Sequence, residues 1–327
     1  MAAAPQVLRS VEGMALRALA LAVVLAGCGT SSGAAVSAAT PFSSGDLGKV
    51  AASPARRATP PATAARVTKV LTVVEENRRS SGAALAMPYL AALGRTYGEA
   101  GDYRSLTHPS LPNYLAMAGG STFGVTDDKG PARHPLHGPS VFDVALAAGA
   151  SARVYAEAMP APCTTRTTGR YAVKHNPWAY FADAASRRNC ARYDVPAGSP
   201  SSGLLHADIA AGRLPEVGLL VPDICDDGHD CSLGRADAWL HRWLPQVFAG
   251  PDWRAGRLAV VVTFDEVEGH GGGHVLTVVM APGLTGARPR SALDHRSWSR
   301  WMSELTGTAP LREAASAPSL GRAFGLD

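Results

Sequence analysis

Lysine is nearly absent from this chain: it stands only at positions 49, 69, 129 and 174, and the rest of the 31 basic residues are arginine. Arg9, Arg17, Lys49, Arg56, Arg57 and Arg66 precede residue 67, where the only acids are Glu12 and Asp46, so 25 basic and 25 acidic residues remain beyond it. The formal charge of +4 is therefore a property of the N-terminal segment. A balanced domain has no concentrated positive field, which speaks against nucleic acid as its partner. The arginine preference fits a GC-rich coding sequence rather than phosphate recognition. No C-x-x-C spacing occurs, which disfavours a thiolate metal site. No heptad or sustained apolar stripe is present, so the sequence leaves the oligomeric state open. What is there, 46% hydrophobic and 18% charged residues over 327 positions, excludes a disordered or fibrous chain and suits one large or two small domains with a real core.

From Met14, MALRALALAVVLAGC places a basic residue before an apolar run to Ala26 and small residues before Cys28, the layout of a bacterial export signal. The run is too short for a spanning helix. Leu25-Ala26-Gly27-Cys28 resembles the lipobox, in which the cysteine is lipidated and becomes the first residue of the mature chain. An ordinary secretory signal cut nearby is the alternative, and Met14 is an alternative start. Residues 29–66 are rich in Ala, Ser, Thr, Gly and Pro and cannot bury enough surface to offset their ordering entropy. The expected order is a signal over 1–28, a flexible tether over 29–66 and a globular domain over 67–327, exported and either membrane-anchored through lipid or secreted.

Apart from Cys28, four cysteines remain, an even number that suits an oxidising compartment and allows three pairings. The reading favours Cys163 with Cys190 and Cys225 with Cys231, the second pair closing a short loop around suspected functional residues.

Short β-branched runs recur at 67–74, 152–158, 216–223, 257–266 and 274–283, each apolar enough to be buried on both faces. Helical patterns at 87–98, 140–150 and 235–248 lie between them. This alternation predicts an α/β fold with a mostly parallel sheet and helices on both faces. Ligands in such sheets sit beyond the carboxyl ends of the strands. The residues there are acidic or amide-bearing: Glu75, Glu76 and Asn77, then Asp223, then Asp265 and Glu266. Alternation along the first strand sends Glu75 to the face opposite Glu76.

The sharpest local signal is THPSLPNYLAMAGG from Thr107, in which Pro109 and Pro112 bracket Ser110 before an apolar helical run. Ser110 is predicted as the helix N-cap, with Pro112 in the first turn. Its hydroxyl then stands at the positive end of a helix, where a phosphate is favoured and a metal-bound hydroxyl can become a nucleophile. A capping serine with no further role is the plain alternative.

Taken in order, EEN at 75–77, THPSLPNYLA at 107–116, PDICDDGHDC at 222–231, ADAWL at 236–240, VVVTFDE at 260–266 and DHRSW at 294–298 resemble the bacterial phosphoesterase family. That family contains secreted acid phosphatases, phosphatidylinositol 3-phosphate phosphatases and phosphocholine-specific phospholipases C. The resemblance implies an alkaline phosphatase-like three-layer α/β/α sandwich, in which a metal-bound Ser or Thr takes the phosphoryl group. It implies Ser110 as nucleophile and Glu76, Asn77, Ser110, Asp265 and Glu266 as the shell of one divalent ion. Oxygen ligation favours calcium, magnesium or manganese, with zinc left open. His108, His229 and His295 fall in matched segments as catalytic histidines. Asp223, His229 and His295 form the set for an alternative second metal, although many members carry Asn at the position of Asp223. Asn113 and Arg78 are expected against the substrate phosphate, with Arg78 and Arg79 as plain solvated loop charges the alternative. The aromatic that often follows the motif Asn is absent, since Asn77 leads into Arg78, Arg79, Ser80, Ser81 and Gly82. His270 and His274 lie in EGHGGGH, which reads as a mobile lid or as a plain hairpin connection.

Three functions remain open on the sequence. The first is a metal-dependent phosphomonoesterase working through a phosphoserine, with a lipid phosphate among its candidate substrates. The second is a phospholipase C-type diesterase, and the third a non-catalytic surface lipoprotein that only binds.

Overall fold

The structure, a computed structural model, describes residues 66–269 and 272–326. The expected signal segment, Cys28, the tether up to residue 65 and His270 lie outside the described residues.

Among the described residues eight strands are formed: β1 Lys69–Glu75, β2 Tyr103–Arg104, β3 Ala152–Ala156, β4 Asp194–Pro196, β5 Val217–Val221, β6 Leu258–Phe264, β7 Thr277–Met280 and β8 Leu293–Asp294. The helices are α1 Ser80–Ala86, α2 Pro88–Thr96, α3 Ser110–Gly119, α4 Val141–Ala147, α5 Ala184–Tyr193, α6 Leu204–Ala210, α7 Leu233–Ala249, α8 Pro251–Arg254, α9 His295–Leu305 and α10 Leu320–Ala323. Six strands make the central sheet in the order β4-β3-β5-β1-β6-β7, while β2 and β8 pair separately. All neighbours in the central sheet are parallel except β7, which runs antiparallel to β6. Every predicted apolar run became a strand of this sheet, as their burial on both faces requires.

Helices α3, α4, α9 and α10 pack as one group, and α1, α2, α6, α7 and α8 as another. Side chains of β1 show which residues meet which group. Thr72 Oγ1 accepts from Trp298 Nε1 of α9 over 2.7 Å, so the even positions of the strand face the α3–α9 layer. Odd positions face α7, whose Trp239 and Trp243 are buried and whose Asp237 accepts from the first turn of α2 at Tyr89 N and Leu90 N. The mostly parallel sheet is thus flanked by helices on both sides, as the sequence pattern requires.

Two details of this frame position the site. The register that pairs Glu75 with Phe264 sets Glu76 beside Asp265 at the carboxyl ends of the two central strands, and Asp265 N donates to Glu75 O over 3.0 Å. Helix α3 is buried along its whole length and ends at Gly120, whose φ of 72° is left-handed. A Cβ at Gly120 would meet Leu311 O at 2.2 Å, so glycine is needed there both for the turn and for the close approach. Among the described residues no helix is long and apolar enough to cross a membrane.

Candidate active site

Ser110 lies at the start of α3, but one step further in than expected. Pro109 is the N-cap and Ser110 the first helical residue, with its side chain turned away from the capping position. Asp128 takes over the helix end instead, Oδ1 accepting from Leu111 N over 2.9 Å. The hydroxyl, only 1% exposed, is left free to donate to Glu76 Oε2 over 3.2 Å. Lys174 Nζ approaches it from the other side at 3.4 Å.

Around this hydroxyl the fold gathers carboxylates. Glu76 is fully buried and also accepts from Tyr114 OH, one helical turn beyond Ser110, over 2.5 Å. Asp265 faces Glu76 and Ser110; its Oδ1 accepts from Asn77 N over 3.1 Å and from Glu266 N over 2.6 Å. Asn77 itself takes a left-handed φ of 59°, which turns the chain so that its N–H meets Asp265. Glu266 Oε2 lies 2.8 Å from His108 Nδ1, with His108 half exposed at the rim.

Lys174 and His175 come from a 3-10 turn between β3 and β4, a segment that sequence reasoning missed. Lys174 Nζ contacts Asp128 Oδ2 at 3.0 Å and His229 Nε2 at 3.1 Å. His175 stacks on Tyr114, with Asp227 Oδ2 2.9 Å from Nδ1 and Glu76 Oε1 3.3 Å from Nε2, neither pair aligned as a hydrogen bond. The rarity of lysine was the available signal: Lys174 is one of four, in a chain that otherwise uses arginine.

The electrostatics follow from burial without sufficient counter-charge. Burial, then repulsion by Asp265 and Asp227, pushes Glu76 well above the carboxylate range. Burial raises Asp227 to about 7. Burial and then Asp265 raise Glu266 to about 8, and burial raises Asp265 as well. Burial lowers His175 to about 3, the adjacent Lys174 adding to the effect, so its imidazole is neutral. Burial also opposes the Lys174 ammonium, but Glu76 and Asp128 outweigh it and hold the lysine charged.

This donor set fits a divalent cation. Asp265 Oδ2, Asp227 Oδ2 and both ring nitrogens of His175 are buried without a hydrogen-bond partner, and orphaned groups of this kind need an explanation. Ligand atoms of Glu76, His175 and His229 lie within 4.8 Å of one another. A cation among them would relieve the repulsion that raises the carboxylates.

Other expected site residues are placed differently. Asn113 is fully buried and spends its amide on the preceding turn, accepting from Leu106 N and Thr107 N and donating to Thr107 O and Pro109 O. It braces the segment ahead of Ser110 and has no capacity left for a phosphate. Arg78 Nη1 donates to Asn77 O and pairs with Glu268 at 2.5 Å on the surface. His295 is fully buried under Asp265, with Nε2 2.6 Å from Asp265 O and Nδ1 3.2 Å from Tyr103 OH. Burial lowers it to about 4, so it is a neutral brace for the Asp265 backbone and not a proton donor to substrate.

Asp223, His229 and His295 do not converge on a second metal. Asp223 pairs with Arg170, groups with Glu157 and Asp226, and accepts from Cys225 N and Asp226 N in the turn after β5. Glu75 is fully buried with both oxygens unpartnered, and its surroundings are Asp227, Asp237, Asp226 and Glu157, on the α7 side. His274 lies away from Ser110, its Nδ1 3.4 Å from Asp102 Oδ1.

The disulfides are Cys163–Cys190 and Cys225–Cys231, the pairing favoured by the sequence. The second one ties off the loop that carries Asp226, Asp227 and His229.

A mostly parallel sheet with carboxylates at its central strand ends and a serine opening the facing helix is an arrangement suited to phosphoric ester hydrolysis. The chain belongs to the Phosphoesterase family, whose sequence model matches residues 83–295. It is 29% identical over 262 residues to the phosphatidylinositol-3-phosphatase of Mycobacterium tuberculosis (strain ATCC 25618 / H37Rv), covering 78% of this chain and 82% of that protein. It is 28% identical over 209 residues to a probable acid phosphatase of Kluyveromyces lactis, covering 60% of this chain. The matched region spans only 48% of that yeast protein. In fold it is similar to the lipoteichoic acid synthase LtaP from Listeria monocytogenes, with a TM-score of 0.52, 8% identity and coverage of 78% of this chain and 77% of the other. The PsFucS1 sulfatase from Pseudoalteromonas sp. matches with a TM-score of 0.50 and 10% identity over 80% of this chain and 72% of the other.

Proposed function

We propose that the chain is an exported, divalent-metal-dependent phosphomonoester hydrolase that works through a phosphoserine at Ser110. The observation that carries the reading is the position of Ser110 Oγ, buried at the start of α3 between Glu76 Oε2 at 3.2 Å and Lys174 Nζ at 3.4 Å. In this reading Glu76, which accepts from the hydroxyl, takes its proton as Oγ bonds to phosphorus. Lys174 and His229, 3.1 Å apart, hold the phosphate oxygens in this reading. As the bond from phosphorus to the ester oxygen breaks, that oxygen needs a proton, and in this reading His108, on the half-exposed rim beside Glu266, gives it. Water then attacks the phosphoserine, giving one proton to His108 as the bond from phosphorus to Ser110 Oγ breaks; inorganic phosphate leaves and Glu76 returns its proton to Ser110.

Glu76, Asn77, Asp265, Glu266 and His175 would hold the cation, with Asp227 and His229 close by. Calcium, magnesium and manganese suit the oxygen donors, while the imidazoles keep zinc open. When bound, such an ion lowers the pKa of the serine hydroxyl and neutralises phosphate charge. Two disulfides support an oxidising, extracytoplasmic location, and a lipid anchor at Cys28 is part of the same proposal. The substrate is a phosphate monoester, with lipid phosphates the first class to try.

The test is release of p-nitrophenol from its phosphate monoester, with a phosphocholine diester in parallel, before and after chelation. Turnover of the monoester that dies with chelator and returns with a divalent cation supports the proposal. An acid-quenched sample should also carry the mass of one phosphoryl group on the Ser110 peptide. Turnover of the diester alone would replace it with the phospholipase C-type reading.

A further inference from the structure

We infer that four carboxylates on the α7 side of the sheet, those of Glu75, Glu157, Asp223 and Asp226, bind a calcium ion that fastens the loop carrying Asp227 and His229 to the ends of β1 and β3. The site is separate from the cation proposed beside Ser110. It lies on the other face of β1, shares none of that ion's ligands and does not depend on the phosphatase reading.

The placement follows from the sheet. Strands β3, β5 and β1 are parallel neighbours, so their carboxyl ends open side by side. Glu75 closes β1, Glu157 directly follows β3, and Asp223 and Asp226 lie in the turn after β5. Glu157 Oε1 accepts from Trp239 Nε1 over 3.2 Å, which sets it on the α7 face together with Glu75. Its Oε2 accepts from Asp223 N over 3.1 Å. Ligand atoms of Glu157, Asp223 and Asp226 come within 4.8 Å of one another.

A cluster of acids alone would not call for an ion, but Glu75 does. It is 0% exposed, and among the described residues it is the one carboxylate with both oxygens buried and without a hydrogen-bond partner. The charges that act on it are those of Asp227, Asp237, Asp226 and Glu157, so it is aimed into the cluster and away from any basic group. A buried acid in that state needs a partner. The nearby arginines do not supply one. Arg170 holds Asp223 at 3.2 Å and Arg235 holds Asp226 at 2.6 Å, while Arg242 comes only to 4.0 Å from Asp226 Oδ2. Two close guanidinium contacts against four carboxylates leave two negative charges, which one divalent cation balances. Burial pushes Glu157 up to about 7, with repulsion from Asp226 and Asp223 adding to it, as expected of unmatched charge.

The donors are all carboxylate oxygens from three separate chain segments. Such a set suits calcium, which takes six to eight oxygens in irregular geometry, better than magnesium, which demands a near-ideal octahedron. Both Glu75 oxygens are open, and each Glu157 oxygen keeps a lone pair beyond its one donor. Because arginines share two of the acids, the expected Kd is that of extracellular calcium modules, about 0.1–1 mM. The bound ion would tie the ends of β1 and β3 to the loop closed by Cys225–Cys231, in which Asp227 Oδ2 stands 2.9 Å from His175 Nδ1.

The test uses the full chain in detergent, carrying Asp265→Asn so that the cation beside Ser110 is weakened. Terbium serves as the optical probe for calcium, because Trp239 touches Glu157 and can pass its excitation to a bound ion. Tryptophan excitation should give terbium emission that calcium displaces with a Kd of about 0.1–1 mM, and magnesium at equal concentration should not. Adding Glu75→Gln should weaken calcium by at least about tenfold. Glu157→Gln is read in the same way, so that a folding defect in one variant does not decide the outcome. Amide exchange across residues 223–231 should slow with calcium when Glu75 is present and stay unchanged when it is replaced. Absence of calcium-displaceable emission in the Asp265→Asn protein, or an unchanged calcium affinity in both glutamate variants, overturns the site. Equal displacement by magnesium overturns the choice of calcium, and binding without slower exchange overturns the fastening role. None of these outcomes bears on Ser110, whose reading is decided by monoester turnover.

Discussion

Ser110 and Glu76 lie 34 residues apart and meet over 3.2 Å, the hydroxyl donating to Oε2. The contact joins the carboxyl end of a central strand to the first residue of the facing helix, so the sheet and the helix layer jointly set the geometry of one oxygen. Tyr114 and Lys174 complete its surroundings.

Ser110→Ala should lower kcat on p-nitrophenyl phosphate by at least about a thousandfold, because no other hydroxyl occupies that position. Stability should fall by about 1 kcal/mol or less, the worth of one side-chain hydrogen bond. Steady-state kinetics and thermal unfolding measure the two effects separately. Retention of near-wild-type turnover would remove Ser110 from the chemistry.

Asp265→Asn separates metal binding from folding. The carboxylate is buried and its pKa raised, so in chelated protein the loss of its charge should increase the melting temperature; the amide oxygen still accepts from Asn77 N and Glu266 N. With a divalent cation at a hundredfold excess over its Kd the wild type should gain about 3 kcal/mol and the variant far less. Calorimetric titration reads the affinity directly. An equal metal-induced shift in both proteins would exclude Asp265 from the ligands.

Asp194 should make the stability pH-dependent at a distance from the metal shell. Burial raises its folded pKa to about 7, despite two contacts from Asn176 Nδ2 at 2.9 Å. A raised acid binds more protons in the folded state. Its contribution is therefore full below the unfolded value near 4 and is lost as the pH climbs towards about 7. Asp194→Asn should flatten this fall and raise the melting temperature at pH 8. Unfolding curves with chelator across that window test it, and an unchanged slope would contradict the assignment.

The two disulfides should differ in what they protect. Cys163–Cys190 spans 27 residues and Cys225–Cys231 spans 6. Chain entropy then assigns about 3.5 kcal/mol to the long loop and about 2 kcal/mol to the short one. Serine replacement of the first pair should act mainly on the melting temperature. Replacement of the second should act mainly on kcat/KM, through Asp227 and His229. The reverse pattern would show that the short loop holds its shape unaided.

Much of the frame was legible because buried parallel strands leave continuous β-branched runs, and all five such runs entered the central sheet. The reversed direction of β7 was not, since an apolar run carries no sign of its orientation. Placement of Glu76 on the α3 face could be read from strand alternation. The offset of Ser110 could not, because Asp128, 17 residues beyond Leu111, takes the capping role that local spacing gave to the serine. Lys174, His175 and Asp227 escaped notice for a related reason. They sit in crossover loops rather than at a strand end, and only the completed chain path brings them to Glu76. Asn113 and His295 stand in recognisable motif segments, yet the structure spends both on holding backbone.

The pairing of β1 with β6 has a genetic consequence. Adjacent glutamates at the end of β1 occupy opposite sides of the sheet, Glu76 with Ser110 and Glu75 towards α7. Strand periodicity thus works as a reading frame for the site. Loss or gain of a single codon within β1 would present the same two letters with their sides exchanged, and every ligand could remain in the gene while the site was lost.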